Sequence, residues 1–227
     1  MAGVFRKNSE HVYQAVPLLE LGWLEHGFGS SFSTAWNRQA GLATVSQIHS
    51  DICLHAAGQT GRVGEGDALV TEAAGVRLGV RTADCVPILL ADTRRRAVAA
   101  VHAGWRGTAA AIAAKVVLEL RERFNSAPGE IVAAIGPAIG ECCYRVGPEV
   151  AGRFREWFPE RCDLDGPARI DLAEANRRQL IRAGLHESKV CVAGLCSYCS
   201  GGEFQSWRRQ REAAGRLISA IWILKKH

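Results

Sequence analysis

The chain has 227 residues, 48% hydrophobic and 22% charged, the composition of an ordinary globular protein large enough to bury a core. No segment reaches the ~18–20 apolar residues of a membrane helix, and MAGVFRKNSEHVY at the start lacks an apolar signal core, so a cytoplasmic protein that makes no membrane contact is expected. The net charge of +5 is spread over scattered arginines and lacks a long basic face with interleaved aromatics, which argues against nucleic acid and for a small anionic substrate.

Taken in order, Leu18–Phe28 reads as a short strand running into a loop, and Ser30–Gln39 as a polar loop. Ala43–Ile48 predicts a strand that delivers Gln47 and His49 at its end, with Asp51–His55 continuing or pairing with it. Gly58–Gly66 reads as a turn, and Asp67–Thr71 and Val76–Val80 as strands. Val86–Ala91 and Ala97–Val101 predict buried strands around a solvated Asp92–Arg96 turn. Thr108 is expected to cap a helix over about Ala109–Phe124, whose Ile112, Val116, Leu120 and Phe124 form one apolar face. Further on come a strand at Ile131–Ile135, a helix from Pro148 to about Trp157, a helix over Leu172–Ala183 capped by Asp171, and a strand at Val190–Leu195. Arg211–Lys225 mixes helical and strand signals and stays open. The alternation gives an α/β (α+β-like) single domain, residues 1–227, with a mixed sheet.

If the two central strands pair antiparallel, Cys85 at the start of one meets His102 at the end of the other. Either alone suits a buried core position; together, with Gly104 allowing close approach, they form a candidate site. His49 is a third donor, and two imidazoles with one thiolate leave an open fourth position, the pattern of a catalytic zinc. Asp84 beside the thiol can orient a partner or accept a proton. Arg106, four residues from His102, can clamp phosphate bidentately. Eight cysteines without a signal core read as reduced thiols. Cys196-Ser197-Tyr198-Cys199 is a lone C-x-x-C; a four-cysteine structural zinc would need two more thiols nearby, of which Cys191 supplies at most one. Adjacent Cys142 and Cys143 cannot easily face one ligand, so no second metal site is expected.

Gln47-Ile48-His49, Gly66-Asp67-Ala68-Leu69-Val70-Thr71, Thr82-Ala83-Asp84-Cys85-Val86-Pro87, Val101-His102-Ala103-Gly104-Trp105-Arg106-Gly107-Thr108 and Gly136-Pro137-Ala138-Ile139-Gly140-Glu141-Cys142-Cys143-Tyr144 occur in that order. The set closely resembles the bacterial YfiH-like family, also called the laccase-domain or polyphenol oxidase family, from about His26 to Arg209. The resemblance implies mixed sheets packed under outer helices, similar to the catalytic domain of a deamidating toxin. It implies zinc held by His49, Cys85 and His102, with copper as an alternative. It also implies phosphorolysis of adenosine, inosine and methylthioadenosine with adenosine deamination, so the partners are purine nucleosides and phosphate. Asp84 is expected in proton transfer or ribose contact, Arg106 on phosphate, and Gln47 and Arg209, with Arg208 beside it, on substrate. Two positions depart from the family pattern: Ser30 or Ser31 stands where an arginine often follows H-G-F, and Gln210 stands in place of an aspartate. Two rival readings are a metal-free Cys85–His102 hydrolase or amidase acting in peptidoglycan editing, and a copper-dependent polyphenol oxidase. The seven histidines include no His-x-His pair, which weighs against a multicopper centre.

Overall fold

The paired strands Val86–Asp92 and Val98–Ala103 lie at the middle of a computed structural model that describes residues 4–225. They pair antiparallel, with His102 opposite Pro87 and Ala103 opposite Val86. The turn is fixed by Asp92, whose Oδ1 accepts from the Arg94 and Arg95 amides at 2.7 and 2.9 Å, leaving the arginines in solvent. This hairpin sits inside a six-stranded sheet, in spatial order Val190–Val192, Ile131–Ile135, Val86–Asp92, Val98–Ala103, Ala68–Thr71 and Cys53–His55. A seven-stranded sheet runs Phe5–Lys7, Tyr13–Ala15, Leu24–Phe28, Leu217–Ile223, Arg77–Thr82, Leu42–Ser46 and Gly61–Glu65.

The two sheets stack face to face, and helices cover the far side of the six-stranded one. Residue alternation decides which face meets which layer. Val86, Ile88, Leu90, Val101 and Ala103 join Ile112, Val116, Leu120 and Leu180 in the core under the helices. Leu89, Ala91, Val98 and Ala100 join Leu78, Val80, Ile221 and Ile223 in the core between the sheets. Each fully buried Leu or Ile contributes about 1.5–3 kcal/mol. Trp36 stacks on Trp222 over the outer face of the seven-stranded sheet. The architecture is mixed α/β with more than one mixed sheet, as the family resemblance implied.

Several local expectations change. Asp51–His55 does not extend the Leu42–Ser46 strand: Cys53–His55 crosses to the other sheet and pairs parallel with Ala68–Thr71. Gly61–Glu65 is an edge strand, parallel to Leu42–Ser46, within what reads as a turn. Thr108 is not a cap. It lies buried in a short helix, Trp105–Ala109, where Asn176 Nδ2 donates to its Oγ at 3.0 Å and Gln179 Nε2 to its carbonyl at 2.7 Å. The main helix, Ile112–Phe124, starts after Ala111, which breaks the run at φ 63°. Ser30–Gln39 contains a short helix at Thr34–Asn37. The helix from Pro148 closes at Ala151 and tightens to a 3₁₀ turn over Gly152–Phe154. Leu172–Arg182 is capped as expected, Asp171 Oδ1 accepting from Glu174 N at 2.9 Å. Leu217–Ile223, left open by the sequence, is an inner strand of the larger sheet. Among the described residues no helix is long and apolar enough to cross a membrane.

Candidate metal centre and its cavity

The hairpin register builds most of the centre. Cys85 falls across from Gly104, and two-residue periodicity puts His102 on the same face, the one turned toward the larger sheet. His49 arrives from the opposite side, in the loop where the chain leaves Leu42–Ser46 and crosses to Cys53–His55. One ligand atom from each of His49, Cys85 and His102 lies within 4.8 Å of the others. The His49 and His102 rings meet edge-on at 5.0 Å. Gly104 leaves the room they need: a Cβ there would stand 2.9 Å from His49 Cδ2 and 3.2 Å from Cys85 Sγ.

Asp67 organises the three, and the sequence reading passed over it. Its carboxylate is fully buried. Oδ1 accepts from His49 N at 3.0 Å and pairs with His102 Nδ1 at 2.8 Å; Oδ2 accepts from Ser50 N at 2.5 Å and Ser50 Oγ at 2.7 Å. Capture of consecutive amides holds His49 at φ 60°, a left-handed conformation that costs a non-glycine residue of order 1–3 kcal/mol. Because a carboxylate only accepts, His102 Nδ1 carries a hydrogen and Nε2 is the ring atom turned to the centre, where it ligates once deprotonated. Burial opposes the Asp67 charge, but hydrogen bonds from His102 and Ser50 outweigh it and hold the carboxyl below its usual range. Burial likewise pushes the Cys85 thiol up, yet His102 and His49 bring it down to about 6. Burial lowers His102, while Asp67 and Cys85 raise it to about 9. The sequence signal for Asp67 was its place in Gly66-Asp67-Ala68: an aspartate at the head of an apolar strand needs a partner when buried.

One thiolate and two imidazoles, one of them fixed by a carboxylate, fit a tetrahedral metal with an open position. They lie in the wall of a cavity of about 770 Å³. Its lining includes five arginines, at 81, 106, 208, 211 and 216, against the single carboxylate of Asp84, with Trp105, Tyr144 and Trp207 supplying aromatic faces. Arg106 stacks on Trp105 at 4.6 Å and makes no ion pair among the described residues. The sequence reading named Arg106 and Arg208 but not Arg81, Arg211 or Arg216, which come from separate segments.

Three expected site residues are committed to the protein itself. Gln47 exchanges two 2.8 Å hydrogen bonds with the backbone of Arg81. Arg209 is turned away from the cavity and donates to the carbonyls of Ser197, Tyr198 and Phe204 at 3.0, 2.8 and 2.6 Å. Asp84 lines the cavity at φ 84°, but its oxygens accept from Ser197 Oγ and Arg208 N, both at 2.6 Å. The two departures from the family pattern are also accounted for locally. Ser31 accepts from Gln205 Nε2 and Ser30 bonds to Ser33, while Gln210 Oε1 accepts from Ser206 N at the start of the Trp207–Gln210 helix. None of the three lines the cavity.

The cysteines correct a further expectation. Cys142 and Cys143 both turn toward Cys196 and Cys199, and all four sulfurs lie within 4.8 Å of one another. In an extended chain adjacent side chains diverge, but these two sit in a turn closed by Cys143 N donating to Gly140 O at 2.9 Å. Cys191 is buried elsewhere, with its thiol on Ala133 O.

The chain resembles known proteins over most of its length. It is 42% identical over 161 residues to purine nucleoside phosphorylase YlmD of Geobacillus stearothermophilus, covering 68% of this chain and 59% of that protein. It is 41% identical over 162 residues to adenosine deaminase RL5 of an unknown prokaryotic organism, covering 69% and 62%. The chain thus spans about three-fifths of these relatives' length. The crystal structure of Bacillus licheniformis hypothetical protein YfiH superposes with a TM-score of 0.87 at 28% identity, covering 99% of this chain and all of that one. Residues 30–224 match the family described as multi-copper polyphenol oxidoreductase laccase. With that match across nearly the whole chain, and with YlmD-like and YfiH-like proteins as its neighbours in sequence and fold, this protein belongs to the laccase-domain, YfiH-like family.

Proposed function

We propose that residues 1–227 form one catalytic domain, a zinc-dependent purine nucleoside phosphorylase that also deaminates adenosine. The observation that carries this reading is a His₂Cys donor set opening into a cavity rich in arginine and lined by aromatic rings. The names of the relatives point the same way.

Arg106, stacked on Trp105 and without an ion pair among the described residues, binds phosphate with its planar fork, and Arg208 lines the same cavity. Trp105, Tyr144 and Trp207 offer ring faces to a purine. In phosphorolysis a phosphate oxygen bonds to ribose C1′ as the bond from C1′ to the base breaks. The electron pair leaves with the base, which takes up the proton that the attacking hydrogen phosphate gives up. The arginines hold the anion against a positively charged, sugar-like transition state. Asp84 acts as a positioning residue, holding Arg208 and Ser197 in place, and Gln47 and Arg209 brace the walls. His49, Cys85 and His102 would hold a zinc ion, which when bound would supply Lewis acidity for the displacement of ammonia from adenosine. Copper fits the same donors, so metal analysis belongs with the assay. Placement in the cytoplasm is part of the reading, supported by eight unpaired thiols.

The test incubates zinc-loaded protein with adenosine and phosphate and separates adenine, inosine and ribose 1-phosphate. Arg106→Ala is expected to weaken phosphate binding about 10–100-fold, the loss of a charge-assisted contact. No product from the wild type, or full activity in His102→Ala, sinks the proposal.

A second reading has its own support. With Cys85 near 6 and His102 near 9, the metal-free centre is a thiolate–imidazolium pair, the resting state of a cysteine hydrolase or amidase. A tightly held ion on Cys85 excludes it, because the thiolate cannot be both ligand and nucleophile.

A further inference from the structure

Four of the eight cysteines converge on one point outside the centre described above. Cys142 and Cys143 come from the turn after Ile131–Ile135; Cys196 and Cys199 come from the turn after Val190–Val192. We propose that these four thiols bind a second divalent metal ion, of the kind that prefers tetrahedral thiolate coordination, zinc foremost, and that the ion clamps one wall of the cavity.

The geometry fits such an ion. All four Sγ atoms lie within 4.8 Å of one another, with Cys143 and Cys142 at 3.1 and 3.6 Å from Cys199. Four sulfurs at the usual zinc–sulfur distance of about 2.3 Å stand roughly 3.8 Å apart. All four are free thiols, and among the described residues none donates to a backbone carbonyl as Cys191 does to Ala133 O. The backbone holds the two turns together independently of any ion. Ala138 bridges to Cys196 in parallel fashion, and Ser197 N donates to Ala138 O at 2.9 Å. Gly140 N donates to Cys196 Sγ at 3.3 Å, a contact that favours a thiolate. A Cβ at Gly140 would stand 3.3 Å from both Cys142 Sγ and Cys196 Cβ, so glycine keeps the space between the turns open. Cys142 and Cys199 are exposed, which gives an ion a way in. Binding converts the thiols to thiolates and releases their protons to solvent, with no change of oxidation state.

The clamp bears on the cavity through its neighbours. Tyr144 follows Cys143 directly and lines the cavity. Ser197, inside the C-x-x-C, donates to Asp84, and Arg209 holds the carbonyls of Ser197 and Tyr198. The proposal does not depend on the reaction proposed above.

The test is metal content by mass spectrometry on the full chain purified under reducing conditions. Two zinc ions per chain are expected in the wild type, one in the double variant His49→Ala/His102→Ala, and one in Cys142→Ser/Cys199→Ser. If the cysteine variant fails to fold, the histidine variant decides. It keeps all four thiols, and loaded with cobalt(II) it should give the strong sulfur-to-metal charge-transfer absorption of an all-thiolate tetrahedral site. One ion in the wild type and none in the histidine variant overturns the clamp, as does peptide mapping that finds a Cys143–Cys199 disulfide in the purified protein. Two ions in a protein without turnover leaves the clamp standing and sinks only the enzymatic reading.

Discussion

Asp67→Asn tests the logic of the centre most sharply, because it changes almost no volume and reverses the hydrogen-bond sense of half the group. Oδ1 serves His49 N and His102 Nδ1, and Oδ2 serves Ser50 N and Oγ. An amide has one accepting oxygen, so in either orientation its NH₂ is driven against a backbone N–H. Two hydrogen bonds to a charged acceptor are lost, at about 1.5–3 kcal/mol each, or about 3–6 kcal/mol together. For a chain of this size each kcal/mol moves the melting midpoint about 2–4 °C, so a fall on the order of 6–24 °C is expected. His102 also loses the partner that orients it, which costs about 10–100-fold in metal affinity. Thermal melts and zinc competition against a chelating dye read the two effects separately. A variant that melts within about 2 °C of the wild type and holds zinc equally well would refute the role given to Asp67.

Two further outcomes follow from the same structure. Gly104→Ala should fold, with an overpacking cost of about 1–3 kcal/mol, but its methyl group displaces His49 and Cys85, so a folded, modestly destabilised protein that has lost zinc is the expected pattern; unchanged zinc content would contradict the contact geometry. His26 is buried, accepts from Ala15 N at 2.9 Å, and is lowered by desolvation to about 4. Between pH 6.5 and 4 the unfolded chain therefore binds the proton and the folded chain does not, so stability falls as pH drops through that window, by about 3 kcal/mol. His26→Gln should flatten this part of the stability–pH curve, and equal slopes in both proteins would show that the histidine is not held neutral.

The central hairpin was legible because its two apolar runs are bounded by charge and its register follows from one turn. Asp171 marked a helix start in the same direct way. Leu217–Ile223 was not legible: both its faces are buried, so the alternation that marks a strand disappears. Gly61–Glu65 failed for the opposite reason, as an exposed edge strand with one valine. The break at Ala111, at φ 63°, carries no local signal, since alanine is a strong helix former. The metal-ligand candidates were recovered from residue type and strand ends, whereas the roles of the arginines were not. Arg208 and Arg209 are neighbours of identical chemistry, and only the fold turns one to the cavity and the other to backbone carbonyls. The four-thiol cluster is not legible in the sequence because adjacent side chains diverge in an extended chain, whereas Cys142 and Cys143 sit in a turn.

The position of the centre between the sheets carries a mechanical consequence. Apolar faces in contact resist separation strongly but resist sliding weakly, because the attraction between them has no direction. Donor atoms reaching a common point from both faces do have direction. Cys85 and His102 belong to one sheet and His49 to the loop leaving the other, so an ion shared by all three would act as a dowel that fixes the lateral register of the sandwich. Losing that ion would loosen layer against layer far from the cavity.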